Sequence, residues 1–317
     1  MVHLDKAKQI SKCLETAILF EVSANKPGNV NLVVGFEGTR VEHFLASAVA
    51  AAPSFQEAAR RGIAIQEGKL PIGKACMGQL IRNCVADIAD WQRGGNTLLG
   101  TVMLFIPLAV AAGMTAMNGK GEFHLKELRE NIKLVVESSN ALDAVCLYDA
   151  IAIAKPSGLN GAPDLSVSDP ASKARLVEEN VSLFKVFEIA AGYDDICFEW
   201  VNNFPITFDI GYPYLTEQLC SKSRSLNAAI IHTFLKVLAE RPDTFISRKV
   251  GLEKARAISE DAKNILALGG AVTPKGRESL LLFDKKLREY GNNYNPGTTA
   301  DITAATIALV LLNGYRG

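Results

Sequence analysis

The sequence lacks the usual motifs of nucleotide-binding and hydrolytic enzymes. It contains no G-x-x-x-x-G-K-[ST] loop, no G-x-G-x-x-G after a strand-like run, no H-E-x-x-H and no G-x-S-x-G. Its four histidines, His3, His43, His124 and His232, lie far apart without ligand spacing, which argues against a zinc site. The common phosphate-binding loops and hydrolase architectures are therefore set aside.

Charge of one sign and paired cysteines are absent as well. The chain has 34 basic and 34 acidic side chains, which gives no indication of a nucleic-acid partner, so any phosphate recognition must be local. Six cysteines are scattered without a C-x-x-C pair, and most lie in apolar runs where a thiol behaves as a small hydrophobic group. The charged start, "MVHLDKAKQISKCLE", resembles neither a signal peptide nor a lipidation motif. We expect a cytoplasmic protein.

One stretch is free of charge, from Gly94 to Gly119, "GGNTLLGTVMLFIPLAVAAGMTAMNG". Its apolar part is about the ~20 residues needed to cross a bilayer. It stands alone, however, contains Pro107 and lacks flanking aromatic anchors or a basic cluster. A helix at the centre of a large α-helical core is also apolar on every side. We predict a buried central helix and no membrane partner; a membrane protein built on residues 98–117 is the alternative, and it would depend on detergent.

Strict alternation of apolar and polar residues is almost missing, whereas apolar residues at three- and four-residue spacing are frequent. This pattern predicts an all-α fold, a single multi-helix globular domain over residues 1–317. The predicted helices span residues 5–23, 40–61, 72–92, 98–117, 125–138, 141–154, 171–202, 212–240, 250–267, 274–290 and 299–313.

Polar loops rich in Gly, Asn and Pro interrupt these helices: "ANKPGNVN" (24–31), "RGGNT" (93–97), "AKPSGLNGAPD" (154–164) and "NNYNPGTTAD" (292–301). The second and the last lead into predicted helix N-termini, whose unpaired N–H groups and partial positive charge favour phosphate. Together with Lys26 they predict a triphosphate pocket. In the alternative interpretation Asn96, Thr97, Thr298 and Thr299 only cap helices.

Carboxylates form a second group of candidates. Asp195 and Glu199 are four residues apart and share a face of the predicted helix, with Asp194 beside them. Acids among apolar neighbours are candidates for Mg²⁺ ligation or proton transfer, because burying an unpaired carboxylate is costly. An exposed polar stripe explains Asp194 equally well. Asp301, one turn into the last helix, could simply favour the helix dipole.

Three segments together resemble a known family. "EVSANKPGNVN", "GGNTLLG" and "NPGTTADITAATIALVLL" follow the order and rough separation of three motifs of the triphosphoribosyl-dephospho-CoA synthase (CitG-like) family, from about Glu21 to Leu312. The resemblance implies an all-helical enzyme that transfers the 5-triphosphoribosyl group of ATP to the ribose 2′-hydroxyl of 3′-dephospho-CoA and releases adenine. It also implies Mg²⁺ with the nucleotide, and a product that is the prosthetic-group precursor of citrate lyase and malonate decarboxylase.

The resemblance assigns roles to residues of this chain. The motifs match at Glu21, Lys26, Gly28, Gly94, Asn96, Thr97, Gly100, Pro296, Gly297 and Asp301. Cleavage of an N-glycosidic bond builds positive charge on the ribose, and a second group can deprotonate the attacking hydroxyl, so we expect catalytic roles for Glu21, Asp195, Glu199 and Asp301. The other motif residues, with Thr298 and Thr299, are expected to bind phosphate. Asp194, Asp195 and Glu199 are assigned to Mg²⁺ from chain position and chemical type alone.

The sequence also departs from the family pattern. The Thr-His-Lys-Gly of typical members is Thr97-Leu98-Leu99-Gly100 here, and the aspartate after Lys-Pro-Gly is Asn31. Two alternatives therefore stay open. One is a (tri)phosphoribosyl transfer to another acceptor in the biosynthesis of a pterin-type one-carbon cofactor, and the other is a nucleotide- or CoA-binding module without activity. Small molecules are the expected partners, and a homo-oligomer is left open.

Overall fold

Our computed structural model of the protein describes residues 5–158, 164–221 and 225–316. Helices dominate these residues, and the all-α prediction is confirmed. The α-helices are α1 Lys6–Ser23, α2 Val41–Gln66, α3 Met77–Trp91, α4 Leu99–Met114, α5 Leu125–Glu137, α6 Ala141–Ala154, α7 Ser172–Glu178, α8 Leu183–Ala190, α9 Asp195–Val201, α10 Tyr212–Cys220, α11 Leu226–Glu240, α12 Thr244–Val250, α13 Leu252–Ala267, α14 Pro274–Glu289 and α15 Gly297–Leu312. A π-helical segment, Ile206–Gly211, precedes α10.

The uncharged segment forms α4, which lies at the centre of the core. Its residues from Thr101 to Met114 are all buried, and α1, α2, α3, α5 and α15 pack around it. Two glycines let α2 and α4 approach closely: a Cβ on Gly62 would lie 1.9 Å from the carbonyl oxygen of Val110, and one on Gly113 2.3 Å from that of Ala59. The predicted buried central helix is confirmed. In the described ranges, no helix is long and apolar enough to span a bilayer.

The last helix, α15, is almost as apolar as α4 and packs against it and against α1. A second, smaller apolar cluster joins α11, α12, α13 and α14 and includes Phe234, Ile246 and Phe283. Through this second cluster α14 is packed so that its residues Asp284 and Leu287 contact Gly28, in the loop between α1 and α2. The N-termini of α4 and α15 and this first loop consequently meet in one region.

The helix predicted over residues 171–202 is wrong, because the chain forms three short helices there, α7, α8 and α9. Asn180 takes a left-handed backbone conformation (φ 50°) after α7, which a continuous helix does not allow. Ser182 and Asp194 then cap α8 and α9 with their side chains. The helix predicted over 250–267 is observed as α13, which begins at Leu252. The sequence analysis did not predict the short helix α12 that precedes it.

The helix predicted over 212–240 is divided into α10 and α11, with Ser225 capping α11. The helix predicted from residue 72 begins at Met77, after a short 3₁₀ turn at Ile72–Lys74. Much of the predicted loop over 154–164 lies outside the described residues.

Candidate active site

A cavity of about 580 Å³ opens where the first loop and the starts of α4 and α15 meet, within the size range of small-molecule sites. Its polar lining comes from α1, the first loop, the starts of α4, α9 and α15, and α12. Its apolar lining comes mainly from α6 and α8. The polar set includes Glu21, Asn29, Asn96, Thr97, Gly100, Thr101, Asp194, Arg248, Thr298 and Asp301; the apolar set includes Leu147, Tyr148, Ile151, Val186, Phe187 and Ile189.

Asp301 lies where α4 and α15 approach each other. Thr101 donates its hydroxyl to Asp301 Oδ1 at 2.5 Å. Gly100 leaves the room that this carboxylate occupies, because a Cβ at residue 100 would lie 2.1 Å from Asp301 Oδ2. Burial, together with the nearby carboxylates of Glu21 and Asp243, raises the pKa of Asp301 to about 8 against the lowering effect of the Thr101 hydrogen bond. The carboxyl group can therefore gain and lose a proton near neutral pH.

Glu21, another acid in the cavity wall, is paired with Lys26 beneath it. Lys26 Nζ lies 3.0 Å from Glu21 Oε1 and also donates to the backbone carbonyls of Glu21 and Ala24. Burial raises the pKa of Glu21 and lowers that of Lys26, and the charge of each partner opposes the other's shift. Lys26 is fully buried and is not among the residues that line the cavity. In this structure Lys26 is an internal counter-charge to Glu21, and its role in binding phosphate stays a prediction.

The first loop is fixed from below by α14. Gly28 has a left-handed backbone conformation (φ 67°), and a Cβ there would lie 2.5 Å from Leu287 Cδ1, so this glycine makes room for α14 and not for a ligand. Its N–H donates to Asp284 Oδ1 at 2.8 Å. Asn29 lines the cavity, and its Nδ2 donates to Asn295 Oδ1 at 2.9 Å. The first and the last motif loops are thereby joined directly.

The second motif loop both caps α4 and lines the cavity. Asn96 Oδ1 accepts a hydrogen bond at 3.1 Å from the backbone N–H of Leu99, the first residue of α4, although the N-cap residue itself is Leu98. Thr97 Oγ1 lies 2.8 Å from Ser47 Oγ on α2. Gly94 lies outside the cavity wall, against the ring of His43.

At the start of α15, donor groups of Thr299 that were expected to bind phosphate instead bind a carboxylate of the protein, that of Asp243. Asp243 Oδ2 accepts hydrogen bonds from both the backbone N–H and the hydroxyl of Thr299, each at 2.7 Å. Asp243 Oδ1 also caps α12 through Ile246 N at 3.0 Å. Burial raises the pKa of Asp243 although these hydrogen bonds lower it. Thr299 therefore serves α15, while Gly297 and Thr298 reach the cavity.

Asp194 and Asp195 are adjacent in sequence but face different partners. Asp194 caps α9 through Ile196 N at 2.8 Å, pairs with Arg248 Nη1 at 2.5 Å and lines the cavity. Asp195 is buried outside the cavity wall and pairs with Arg241 Nη2 at 2.5 Å. Each carboxylate is thus already neutralised by an arginine.

Glu199 is fully buried away from the cavity wall. It accepts hydrogen bonds from Ile206 N at 2.7 Å and Thr207 N at 3.1 Å, and so caps the π-helical segment. Burial raises its pKa to about 7 despite these bonds. Among the described residues, no group of three or more His, Cys, Asp or Glu side chains is placed to hold a metal ion. In this part of the chain, Asp194, Asp195 and Glu199 are therefore near one another but are not arranged as a metal-binding group.

The predicted site residues fall into two sets. Those that line the cavity are Glu21, Asn96, Thr97, Gly100, Asp194, Gly297, Thr298 and Asp301. Those behind its wall are Lys26, Gly28, Gly94, Asp195, Glu199, Pro296 and Thr299. Within the second set, Lys26 supports a residue of the first directly, through its ion pair with Glu21. Sequence analysis missed Thr101, Asp243 and Arg248; an aspartate directly before Thr244 in "RPDTF" is a helix-start signal that could have revealed Asp243.

Carboxyl groups outnumber basic groups in the cavity wall, although Glu21, Asp164 and Asp194 are each paired with a cation. Among its described residues, five carry carboxyl groups, Glu21, Glu37, Asp164, Asp194 and Asp301, and one, Arg248, is basic. Since Arg248 is already paired with Asp194, a polyanionic ligand here would need added positive charge.

Comparison with known proteins gives a consistent result. The family model "CitG: ATP:dephospho-CoA triphosphoribosyl transferase" matches residues 7–317. A 2-(5''-triphosphoribosyl)-3'-dephosphocoenzyme-A synthase of Escherichia fergusonii is 24% identical over 309 residues, which cover 95% of this chain and 90% of the relative. A relative from Azotobacter vinelandii, named a probable synthase of the same kind, is 34% identical over 91 residues; that match spans only 30% of the relative's length and 29% of this chain.

A crystal structure from Archaeoglobus fulgidus, described as a candidate triphosphoribosyl-dephospho-CoA synthase, has the same fold with a TM-score of 0.61. It is 22% identical to this chain, and the match covers 86% of this chain and 100% of the other.

Proposed function

This chain belongs to the CitG family of ATP:dephospho-CoA triphosphoribosyl transferases, and on that premise we propose that it transfers the 5-triphosphoribosyl group of ATP to the ribose 2′-hydroxyl of 3′-dephospho-CoA. Adenine is released, and the product is a prosthetic-group precursor. The observation that carries the proposal is the carboxyl group of Asp301, held between the starts of two motif helices and facing a cavity of suitable size.

In the proposed reaction the bond from ribose C1′ to adenine N9 breaks, and a bond from C1′ to the acceptor's 2′-oxygen forms. The departing base keeps the bonding electrons and takes up a proton from solvent, and Asp301 later returns to solvent the proton that it accepts, so that no net proton is gained or lost. The proton of the 2′-hydroxyl passes to Asp301, whose pKa of about 8 suits a group that accepts a proton near neutral pH. Thr101 keeps the Asp301 carboxyl group oriented through Oδ1, so that Oδ2 is available to the substrate.

Glu21 is the proposed stabiliser of positive charge on the ribose. As the C1′–N9 bond lengthens, the ribose gains oxocarbenium character, and a carboxylate close to it lowers the barrier. The ion pair with Lys26 favours the ionised form of Glu21, which burial alone would disfavour. Lys26 is therefore a positioning residue for Glu21 in this proposal.

The residues present fit a magnesium ion that enters with the triphosphate. Arg248, the one basic residue among the described residues of the wall, is already paired with Asp194, so the wall offers little positive charge to a bare triphosphate. Magnesium in nucleotide sites is commonly held by one or two carboxylates together with phosphate oxygens and water. Glu21 is the residue that would hold it, together with phosphate oxygens and water, and the ion would supply charge neutralisation of the triphosphate.

The remaining cavity residues are proposed to bind different parts of ATP, the donor substrate. The hydroxyl groups and amides of Asn96, Thr97 and Thr298 suit the phosphate and ribose oxygens. Tyr148 and Phe187, in the apolar part of the wall, suit the purine base of ATP. We further propose a cytoplasmic location, consistent with the six free thiols of the chain.

The test is adenine release from ATP and Mg²⁺, measured by chromatography with and without dephospho-CoA. The proposal predicts release that depends on dephospho-CoA, together with a product whose mass equals the sum of the two substrates less adenine. Release with a different acceptor only would favour transfer to another cofactor precursor. ATP binding by calorimetry without release under any condition would favour a binding module, and absence of both would refute the proposal.

A further inference from the structure

A second cavity of about 320 Å³ lies beside the first and has no assigned role. It is formed by the C-terminal part of α3, the loop into α4 and the end of α6. Its described lining consists of Val85, Ile88, Ala89, Gln92, Arg93, Gly95, Asn96, Thr97, Leu98, Leu99, Ile153, Ala154 and Lys155.

The two cavities share a wall. Residues 96–99 line both, so the loop that starts α4 separates them. At the end of α6, Lys155 lines the second cavity, and the next residues, 156–158, line the first. A molecule in the second cavity would therefore lie close to a molecule in the first, with residues 96–99 between them.

The chemistry of the second cavity differs from that of the first. Its described lining contains two basic residues, Arg93 and Lys155, and no carboxylate, whereas carboxyl groups outnumber basic groups in the first cavity wall. The Arg93 side chain is fixed at the end of α3, since Nη1 donates to the carbonyls of Ala89 and Asp90 at 2.8 and 3.0 Å. Between these charges the lining is mostly aliphatic. Such a surface suits a phosphate or diphosphate joined to a slender, largely uncharged arm.

The backbone at Lys155 is unusual. This residue ends α6 in the left-handed conformation (φ 48°), a position at which glycine is ordinarily favoured. A lysine there carries a conformational cost, and residues kept in such a conformation often have a functional role. The conformation places a charged side chain, exposed to solvent, at the edge of the second cavity.

From these observations we propose that the second cavity binds the phosphopantetheine arm of the acceptor, with Arg93 and Lys155 facing the acceptor's diphosphate and the aliphatic lining around the arm. The acceptor's ribose would then reach Asp301 past residues 96–99. This inference rests on the proposed function, and it adds the position and the recognition of the second substrate.

The test uses two changes in the full-length protein. Lys155→Gly removes the charge at a backbone position that glycine prefers, so the fold is expected to be retained; Lys155→Arg is its control. Ala89→Leu fills the cavity, and Ala89→Ser is the size-matched control. We expect both test variants to raise the KM for dephospho-CoA by about tenfold while the KM for ATP changes less than about twofold, since the lost contacts involve one substrate only.

Binding of 4′-phosphopantetheine, measured by calorimetry on the wild type and on Ala89→Leu, separates this inference from the proposed function. If wild-type protein releases adenine but the test variants leave the KM for dephospho-CoA unchanged, or raise both KM values equally, the inference is overturned and the function stands. If the wild type releases no adenine, the function fails. The inference then survives as a binding site only if Ala89→Leu weakens phosphopantetheine binding, and it is overturned if the two proteins bind it equally.

Discussion

The hydroxyl of Thr101 and the carboxyl of Asp301, 200 positions apart in sequence, are joined by a 2.5 Å hydrogen bond. This bond connects the first turn of α4 to the first turns of α15, two apolar helices whose residues are mostly buried in the core. Both helices are firmly buried, so the position of Asp301 is set by the packing of the whole molecule. The proposed site is therefore a carboxyl group held at the meeting point of two rigid helices.

The first prediction concerns the pH dependence of turnover. If Asp301 accepts the proton of the acceptor hydroxyl, its ionised form is the active one, so kcat/KM should rise with pH and level off above about 8. In Asp301→Asn this rise should disappear, and kcat should fall by at least about 100-fold. A rate measured from pH 6 to 9.5 checks both. A wild-type profile that is flat over this range would contradict the assigned role.

The same substitution should stabilise the protein. The folded-state pKa of Asp301, about 8, lies above the ordinary value of 3.8, so ionising it costs folding free energy that grows as pH rises between these values. Asp301→Asn removes this cost and can still accept the Thr101 hydrogen bond. At pH 8 its melting temperature should exceed that of wild type by roughly 2–4 °C. The difference in melting temperature should vanish near pH 4. A variant that is less stable than wild type at pH 8 would contradict the claim that the buried, ionised carboxylate destabilises the folded protein.

The third prediction concerns the space beside Asp301. A methyl group added in Gly100→Ala would lie 2.1 Å from Asp301 Oδ2, so the carboxyl group must move. We expect activity to fall by about 100-fold or more, because small displacements of a catalytic group are costly. Gly119→Ala, where nothing lies within 4 Å of the new methyl, is the matched control and should retain activity. Equal activity of the two variants would show that the Asp301 position is not critical.

The buried pair of Glu21 and Lys26 gives a prediction about stability. Removing Lys26 alone leaves a buried carboxylate without its partner, which we expect to cost about 3–5 kcal/mol in Lys26→Met. The double variant Glu21→Gln/Lys26→Met removes both charges and should recover part of that loss while remaining inactive. Urea denaturation of Lys26→Met, Glu21→Gln and the double variant measures the coupling free energy between the two side chains. Additive effects would mean that the two side chains do not stabilise each other.

Much of the fold was predictable from the sequence, because the helices with long apolar periodicity, such as α1, α4 and α6, begin and end close to their predicted positions. The prediction failed where short polar side chains divide one apolar run into several helices. Between residues 171 and 202 the caps Ser182 and Asp194 decide the structure, and a pattern of apolar spacing does not detect them.

The motifs predicted which residues lie in or near the site, but they did not predict which partners those residues contact. Lys26 and Thr299 do belong to the site region, yet each is satisfied by a carboxylate of the protein itself, Glu21 and Asp243. These partners are distant in sequence or lie in a different element, so only the tertiary structure pairs them. The contacts of Asp195 and Glu199 were not predictable for the same reason: Arg241 pairs with the first, and the backbone N–H of Ile206 donates to the second.

The most direct test of the proposed reaction uses ATP labelled at the γ-phosphate. In the wild type, with Mg²⁺ and dephospho-CoA, the label should move into the dephospho-CoA product in a one-to-one ratio with released adenine, because the triphosphate stays on the transferred ribose. Asp301→Asn should show almost no transfer while still binding ATP. Label released as inorganic phosphate or diphosphate, or undiminished transfer by Asp301→Asn, would contradict this account.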